Sequence, residues 1–306
     1  MYLSIVIPIY NDEEVLHELL RRVTPVAVQL AESDYEIILV DDGSRDQSWN
    51  VMQELQSSYS NVVAVKLARN FGQQNSIAAG LSLAQGEYIV LMDSDLQDRP
   101  EDIPVLLNAL LESNASMAIA QWISRKDTGL KKFVSNLFFR VSDKITTIHI
   151  QPKLGIFRVM KRSVVDELKN FPEKTATTIS LLYFIGSDYV AVPLKRDARF
   201  AGTSGYNLSK MLSLTFARIF SFSLFPIRLA TYTGFAITLL SFIVGIVLII
   251  RRLMGLVAPG WTSIIVLILF LFGLNFAFLG IIGEYLGKIF LETKQRPKFI
   301  ISKIVK

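Results

Sequence analysis

The chain contains no cysteine. Disulfides, thiolate metal sites and thiol nucleophiles are therefore excluded. Histidine is nearly as scarce: His17 and His149 are the only two in 306 residues, too few for the His/Cys sets that hold zinc. No G-x-G-x-x-G follows any predicted strand and no G-x-x-x-x-G-K-[ST] occurs, so neither the usual dinucleotide fingerprint nor a P-loop is present. No basic leader precedes the first apolar run, L-S-I-V-I-P-I at 3–9, and no signal peptide is expected. Charge, finally, is absent from two long stretches, Leu229 to Ile250 and Trp261 to Gly283.

Those two stretches explain why hydrophobic residues make up 51% of the chain and mean hydropathy reaches +0.39. At about 1.5 Å per residue each crosses a hydrocarbon core of about 30 Å. The connection between them is too short for a domain, so the sequence predicts a transmembrane hairpin with helices at 229–250 and 261–285. Asn275 lies inside the second helix. A polar residue there favours a protein neighbour over lipid, and Gly273 and Gly280 permit close approach, which makes a homo-oligomer plausible. The net charge of +5 is local: 251–306 holds eight Lys or Arg against two Glu. A basic tail at 288–306 beside apolar helices points to the anionic surface of a lipid bilayer and not to nucleic acid. Arg218 and Arg228 precede the hairpin, and Lys288, Lys294, Arg296 and Lys298 follow it, against Arg251 and Arg252 in the connection. The positive-inside rule then places the rest of the chain in the cytoplasm.

The first half reads as alternating strands and helices. Strands are expected at 3–9, 35–40, 62–67 and 88–92, with helices at 13–30, 73–84 and 101–111 among them. Pro25 is expected to bend or break the first helix. Further strands are expected at 117–122, 154–160 and 189–193, with a short helix at 163–168. This is an α/β domain with an open, mostly parallel sheet. Strands one, two and four run into Asn11-Asp12, Asp41-Asp42-Gly43-Ser44 and Asp93-Ser94-Asp95. Ligands of such sheets bind at the carboxyl ends of the strands, so these groups should share one crevice. Asp93 and Asp95, two residues apart, repel each other unless a cation lies between them, and hard oxygen ligands suit Mg²⁺ or Mn²⁺. Gln97 adds a neutral oxygen. Taken alone the D-x-D pattern is equally a solvated turn.

Two segments are amphipathic. Gly129 to Ile145 is either core or a helix at the membrane interface, with its aromatic and basic balance favouring the interface. Asn207 to Pro226 belongs to a second interfacial region at 207–228. Arg158, inside a strand, is either a structural ion-pair partner or a phosphate contact. Lys195, Arg196 and Arg199 precede Gly202, Thr203, Ser204 and Gly205: a phosphate clamp or an ordinary surface loop, the position before the membrane segment favouring the clamp.

S-I-V-I-P-I-Y-N-D-E-E at 4–14, V-D-D-G-S-R-D at 40–46, A-R-N-F-G-Q-Q at 68–74 and D-S-D-L-Q-D at 93–98 together resemble the family 2 glycosyltransferases of GT-A fold. More narrowly they resemble the polyprenyl-phosphate transferases, of the undecaprenyl-phosphate glucosyl- or aminoarabinosyltransferase and dolichyl-phosphate mannose synthase types. The resemblance implies a GT-A domain at 1–206. It implies Pro8, Tyr10, Glu14, Asp42 and Asp93 at the nucleotide, and Asp93, Asp95 and Gln97 at the metal and diphosphate. It also implies Arg199 and Ser204 at the acceptor phosphate, and a catalytic contribution from Asp95, Arg199 and Arg158. Ile156 stands where many members have Asp, and Gly205 where many have a basic residue. The implied reaction is transfer of a sugar from a nucleotide-sugar, UDP-linked before GDP-linked, to undecaprenyl phosphate at the bacterial inner membrane, with inversion. The product would serve envelope polysaccharide or lipopolysaccharide modification, with a flippase downstream. The competing readings are a polysaccharide-extending transferase and a degenerate scaffold; two spanning helices are few for the former, and intact acids argue against the latter.

Overall fold

The computed structural model describes residues 1–122, 154–171, 173, 176–186, 188–197, 223, 225–254 and 260–306. The expected segment 129–145, the residues up to 222 of the second amphipathic region, and Arg199, Ser204 and Gly205 lie outside the described residues. Eight strands form one sheet: β1 Leu3–Ile9, β2 Tyr35–Asp41, β3 Val62–Leu67, β4 Tyr88–Leu91, β5 Met117–Trp122, β6 Leu154–Lys161, β7 Tyr189–Leu194 and β8 Ile301–Val305. The helices are α1 Leu16–Ala31, α2 Ser48–Ser58, α3 Gln73–Leu83, α4 Ile103–Glu112, α5 Arg162–Asn170, α6 Thr178–Ile185, α7 Phe225–Leu253 and α8 Trp261–Thr293.

The spatial order is β7-β5-β6-β4-β1-β2-β3-β8. β4, β1, β2 and β3 are mutually parallel, as is the β5–β7 pair, while β6 and β8 run antiparallel to their neighbours. β1 and β2 are buried along their whole length, which is why they read as near-continuous apolar runs and not as alternation. Residues of α1, α2 and α4 pack on one face of the sheet; those of α3, α5 and α6 pack on the other. The three-layer arrangement puts these helices on the two apolar faces of the sheet.

α1 passes through Pro25 without a break. Leu16, Leu19, Leu20 and Val23 before it and Val26 and Ala27 after it are buried, so an apolar stripe that continues past the proline outweighs one missing helical hydrogen bond. The segment 288–306 differs from the expected basic tail. α8 continues to Thr293, and the chain then returns to the sheet as β8, pairing Val65 with Ile304 and Lys66 with Lys303. α6 lies where no element is expected from the sequence. Both apolar helices are long and apolar enough to cross a membrane. They touch each other, and the Tyr285 hydroxyl of α8 donates to the carbonyl of Ser223, just ahead of α7, at 2.6 Å. The hairpin thus begins and ends on the side of the sheet domain.

Candidate active site

The loops after β1, β2 and β4 interlock. Asn11 N–H donates to Ser44 Oγ at 3.0 Å and Arg45 N–H donates to Asn11 Oδ1 at 2.8 Å. Asn11 adopts a φ of 54°, in the left-handed region that asparagine tolerates better than most residues. Asp12 N–H donates to Ser48 Oγ at 2.9 Å, and the Asp12 carboxylate accepts from Ser94 Oγ at 2.6 Å. The polar ends of strands one, two and four, expected to share a crevice, are therefore joined by direct hydrogen bonds. Asp46 Oδ1 accepts from Ser48 N–H at 3.0 Å, satisfying one free donor at the start of α2. Gly43 turns at φ +68, and a Cβ there would stand 2.6 Å from the backbone of Arg69 and Asn70. Only glycine lets the loop after β2 pack on the loop after β3.

Asp42 is 3% exposed and its carboxylate accepts from Phe71 N–H at 2.8 Å. Burial raises its pKa against the lowering effect of the Phe71 and Gly72 backbone donors. It ties the 70–72 loop to the end of β2. Pro8 is buried in β1 beyond the point where β4 ends, so its missing N–H leaves no ladder bond unmade. Tyr10, 42% exposed, and Glu14, also exposed, stand at the rim.

Asp93 follows β4. Its Oδ1 accepts from Gln73 Nε2, the first residue of α3, at 2.8 Å, and its Oδ2 lies 3.8 Å from Arg196 Nη2. Asp95 Oδ1 accepts from Gln97 N–H at 3.1 Å, so the Gln97 backbone is tied to the second acid. Leu96 has a φ of 56°, which turns the loop sharply between Asp95 and Gln97. Asp98 is fully buried and accepts from Arg196 Nε at 3.1 Å. Burial, then the charges of Asp98 and Asp95, push the Asp93 pKa up to about 7 despite Arg196. Burial likewise pushes Asp98 up to about 6, with Arg196 opposing and Asp95 adding. Burial also raises Asp12. Among the described residues the charge of these acids is only partly offset by Arg196.

Among the described residues no three His, Cys, Asp or Glu side chains converge as a ready-made metal cage. Asp93 and Asp95 fit a Mg²⁺ or Mn²⁺ ion that takes one or two carboxylates from protein and its remaining oxygens from phosphates and water. The excess of negative charge beside a β-strand terminus is consistent with that donor set.

Arg158 is fully buried on β6. Nε donates to the Ile156 carbonyl and Nη2 to the Gly155 carbonyl, each at 2.9 Å, and Nη2 reaches Tyr183 Oη at 3.3 Å. Its guanidinium carbon lies 4.7 Å from the centre of the Tyr183 ring. Of the two readings given to it, no ion pair is present among the described residues, and Nη1 has no hydrogen-bond partner there. β6 pairs Leu91 with Arg158; continuing that register puts Ile156 level with Asp93. Sequence reasoning missed Gln73 and the Arg196–Asp98 contact, because each joins segments distant in the chain.

The glycosyl transferase family 2 model matches residues 4–169. An uncharacterized glycosyltransferase of Synechocystis sp. is 37% identical over 303 residues, covering 99% of this chain and 95% of that one. The SfII prophage-derived bactoprenol glucosyl transferase of Shigella flexneri is 36% identical over 305 residues, 99% of this chain and 98% of its own. Among solved structures, glucosyl-3-phosphoglycerate synthase of Mycobacterium tuberculosis, in complex with Mn²⁺, UDP-glucose and phosphoglyceric acid, superposes with a TM-score of 0.50 at 17% identity, covering 72% of this chain and 77% of that one. That likeness concerns the fold. With its acidic strand ends joined in one crevice and its similarity extending over nearly the whole length of curated relatives, the chain belongs to glycosyl transferase family 2 and is an enzyme of GT-A-like fold.

Proposed function

We propose that this family 2 glycosyltransferase transfers a sugar from a nucleotide-sugar, UDP-linked, to undecaprenyl phosphate at the cytoplasmic face of the membrane. The observation that carries the reading is the attachment of the acidic crevice to a two-helix hairpin that starts and ends on the sheet side. A transferase so anchored stands where the phosphate of a membrane lipid emerges. Relatives along the full length that are named bactoprenol glucosyl transferases support the same acceptor.

Tyr10 at the rim offers a ring face to the base, and Asp42 with the 70–72 loop shapes the nucleoside pocket, with Pro8 and Glu14 beside it. Asp93 and Asp95 hold the diphosphate end through Mg²⁺ or Mn²⁺, and Gln97 completes that turn. A bound divalent ion supplies charge neutralisation of the departing diphosphate. Arg199 and Ser204 are assigned to the acceptor phosphate. That phosphate is largely ionised near pH 7. Its oxygen attacks the anomeric carbon from the face opposite the diphosphate, forming the new C–O bond as the sugar–diphosphate bond breaks, so configuration inverts. No proton needs to be removed, and Ile156 at the level of Asp93 is compatible with catalysis by alignment and charge placement.

The test is transfer of radiolabelled sugar by purified full-length protein in detergent, with undecaprenyl phosphate, Mg²⁺ or Mn²⁺, and a panel of UDP- and GDP-sugars. Label entering the organic phase from one donor, and lost with EDTA, is the expected result. No label from any donor, with metal-dependent nucleotide binding intact, would show that the acceptor or donor assignment is wrong.

A further inference from the structure

The acidic turn after β4 and the chain leaving β7 are fastened together at four points; of the residues that do the fastening, Asp93 and Gln97 belong to the set assigned above to metal and diphosphate, while Asp98, Arg99, Arg196 and Asp197 have no individual role in it. Arg196 Nε donates to Asp98 Oδ1 at 3.1 Å. Arg196 Nη2 stands 3.8 Å from Asp93 Oδ2. Asp197 N–H donates to the Gln97 carbonyl at 3.1 Å, and its carboxylate lies 3.9 Å from Arg99 Nε. The guanidinium is also placed over the indole of Trp122 at the end of β5, 5.2 Å from the ring centre.

The two partners differ in burial. The Asp98 side chain is 1% exposed, that of Arg196 35%. Asp98 Oδ2 has no partner among the described residues. A carboxylate in that position is retained at a desolvation cost that only a fixed cation relieves. Arginine suits this role because one planar fork addresses two carboxylates while its face rests on an aromatic ring; lysine has no such geometry. In the sequence Arg199 follows only three residues later, so the same fastening sits between the donor acids and the start of the segment assigned to the acceptor.

We propose that Arg196 is a positioning residue whose guanidinium, held between Asp98 and Trp122, sets where the Asp93 and Asp95 carboxylates stand and registers the chain leaving β7 against them. The inference rests on the reading of Asp93 and Asp95 as the metal and diphosphate acids. It deepens that reading, since Asp98 and Arg196 act through those acids and touch neither substrate. A second possibility, that Arg196 is only a counter-ion to the acids, predicts the opposite sign. Removing a positive charge beside a cation site should then tighten cation binding.

The experiment measures Mg²⁺-dependent UDP binding by calorimetry on full-length protein in detergent. It compares the wild type with Arg196→Lys, Arg196→Ala and the neutral pair Asp98→Asn/Arg196→Gln, each first checked by thermal melting. The double variant keeps a hydrogen-bonding pair without burying an unpaired charge, so it remains informative if Arg196→Ala fails to fold. Positioning predicts that the Mg²⁺ concentration for half-maximal UDP binding rises at least about threefold in every folded variant, Arg196→Lys included. It also predicts that kcat for sugar transfer falls at least about tenfold while donor KM at saturating Mg²⁺ changes less than about threefold. Arg196→Lys matching the wild type in both readouts, or any folded variant binding Mg²⁺ and UDP more tightly, would overturn the proposal. A wild-type protein that binds Mg²⁺ and UDP but transfers no sugar would sink the acceptor assignment, with the calorimetric comparison still deciding the role of Arg196.

Discussion

Asp95 is the residue on which the donor half of the site depends most directly. It lies in a turn fixed by its own bond to Gln97 N–H, and it is not part of the hydrophobic core. Asp95→Ala is expected to lower sugar transfer at least about a hundredfold, the scale of losing an electrostatic contact to a leaving group, while the melting temperature stays within a few degrees; turnover retained in membranes would remove the metal assignment. The same acids make stability depend on pH and on metal. Asp93, raised to about 7, and Asp98, raised to about 6, are protonated in the folded chain at pH values where the unfolded chain has already lost those protons. Their contribution to stability is therefore fully present below the ordinary carboxylate pKa and is lost as pH rises through 6 to 7. Thermal melting of metal-free protein is expected to fall between pH 5.5 and 8, and saturating Mg²⁺ with UDP should flatten that slope by binding the ionised acids. An unchanged slope with metal and nucleotide would show that the cation does not bind at Asp93. The placement of Asp42, Asp93 and Asp95 at strand ends was legible in the sequence because the apolar runs that read as buried strands stop at Asp41 and at Asp93. Gln73 and the Arg196–Asp98 pair were not, since their roles depend on contacts 20 and 98 residues apart in the chain, to which local pattern is blind.

Elements followed the sequence closely where a strand is buried on both faces, as with β1 and β2, because a near-continuous apolar run rich in Ile and Val has few other stable fates. They departed from it at the edges. β8 is short, carries Lys303 at its centre and has Lys306 just beyond its end, and is exposed over most of its residues, so its composition reads as a tail; its strong constraint is the ladder it makes with β3. α6 escaped notice because Thr178 to Ile185 is short and lies among irregular segments, although it is held by Gln74, whose side chain accepts from Ile179 N–H at 3.0 Å and whose carbonyl accepts from Thr178 Oγ1 at 2.6 Å. The β8 pairing predicts a measurable effect. It covers the edge of β3, where Ala64, Val65 and Leu67 are fully or almost fully buried. Deleting 301–306 is expected to lower the melting temperature of the detergent-solubilised protein by about 4–8 °C, the equivalent of roughly 2 kcal/mol in a domain of this size. It should also raise aggregation through the uncovered strand edge. A truncated protein that melts and stays soluble like the full chain would show that β8 contributes nothing to the sheet in solution.

At the scale of the whole molecule, the connectivity constrains topology more than composition does. The Tyr285–Ser223 hydrogen bond closes the hairpin at the sheet end, and the return of the chain to β3 through β8 keeps everything after α8 on that side. The connection between α7 and α8 must then emerge on the opposite face of any bilayer the hairpin crosses. Lys and Arg counts flanking the hairpin favour a cytoplasmic sheet domain, but Arg251 and Arg252 on the far side weaken that count, and only an experiment separates the two orientations. The absence of cysteine makes it direct. Ala258→Cys in the connection and Glu54→Cys on the exposed side of α2 each introduce a single thiol into an otherwise thiol-free chain. In right-side-out membrane vesicles a membrane-impermeant maleimide is expected to label position 258 at once and position 54 only after permeabilisation. The reverse pattern would put the acidic crevice outside the cytoplasm. Nucleotide-sugars could then not reach Asp93 and Asp95 without crossing the membrane, and the proposed donor chemistry would lose its physical basis however well the crevice fits it.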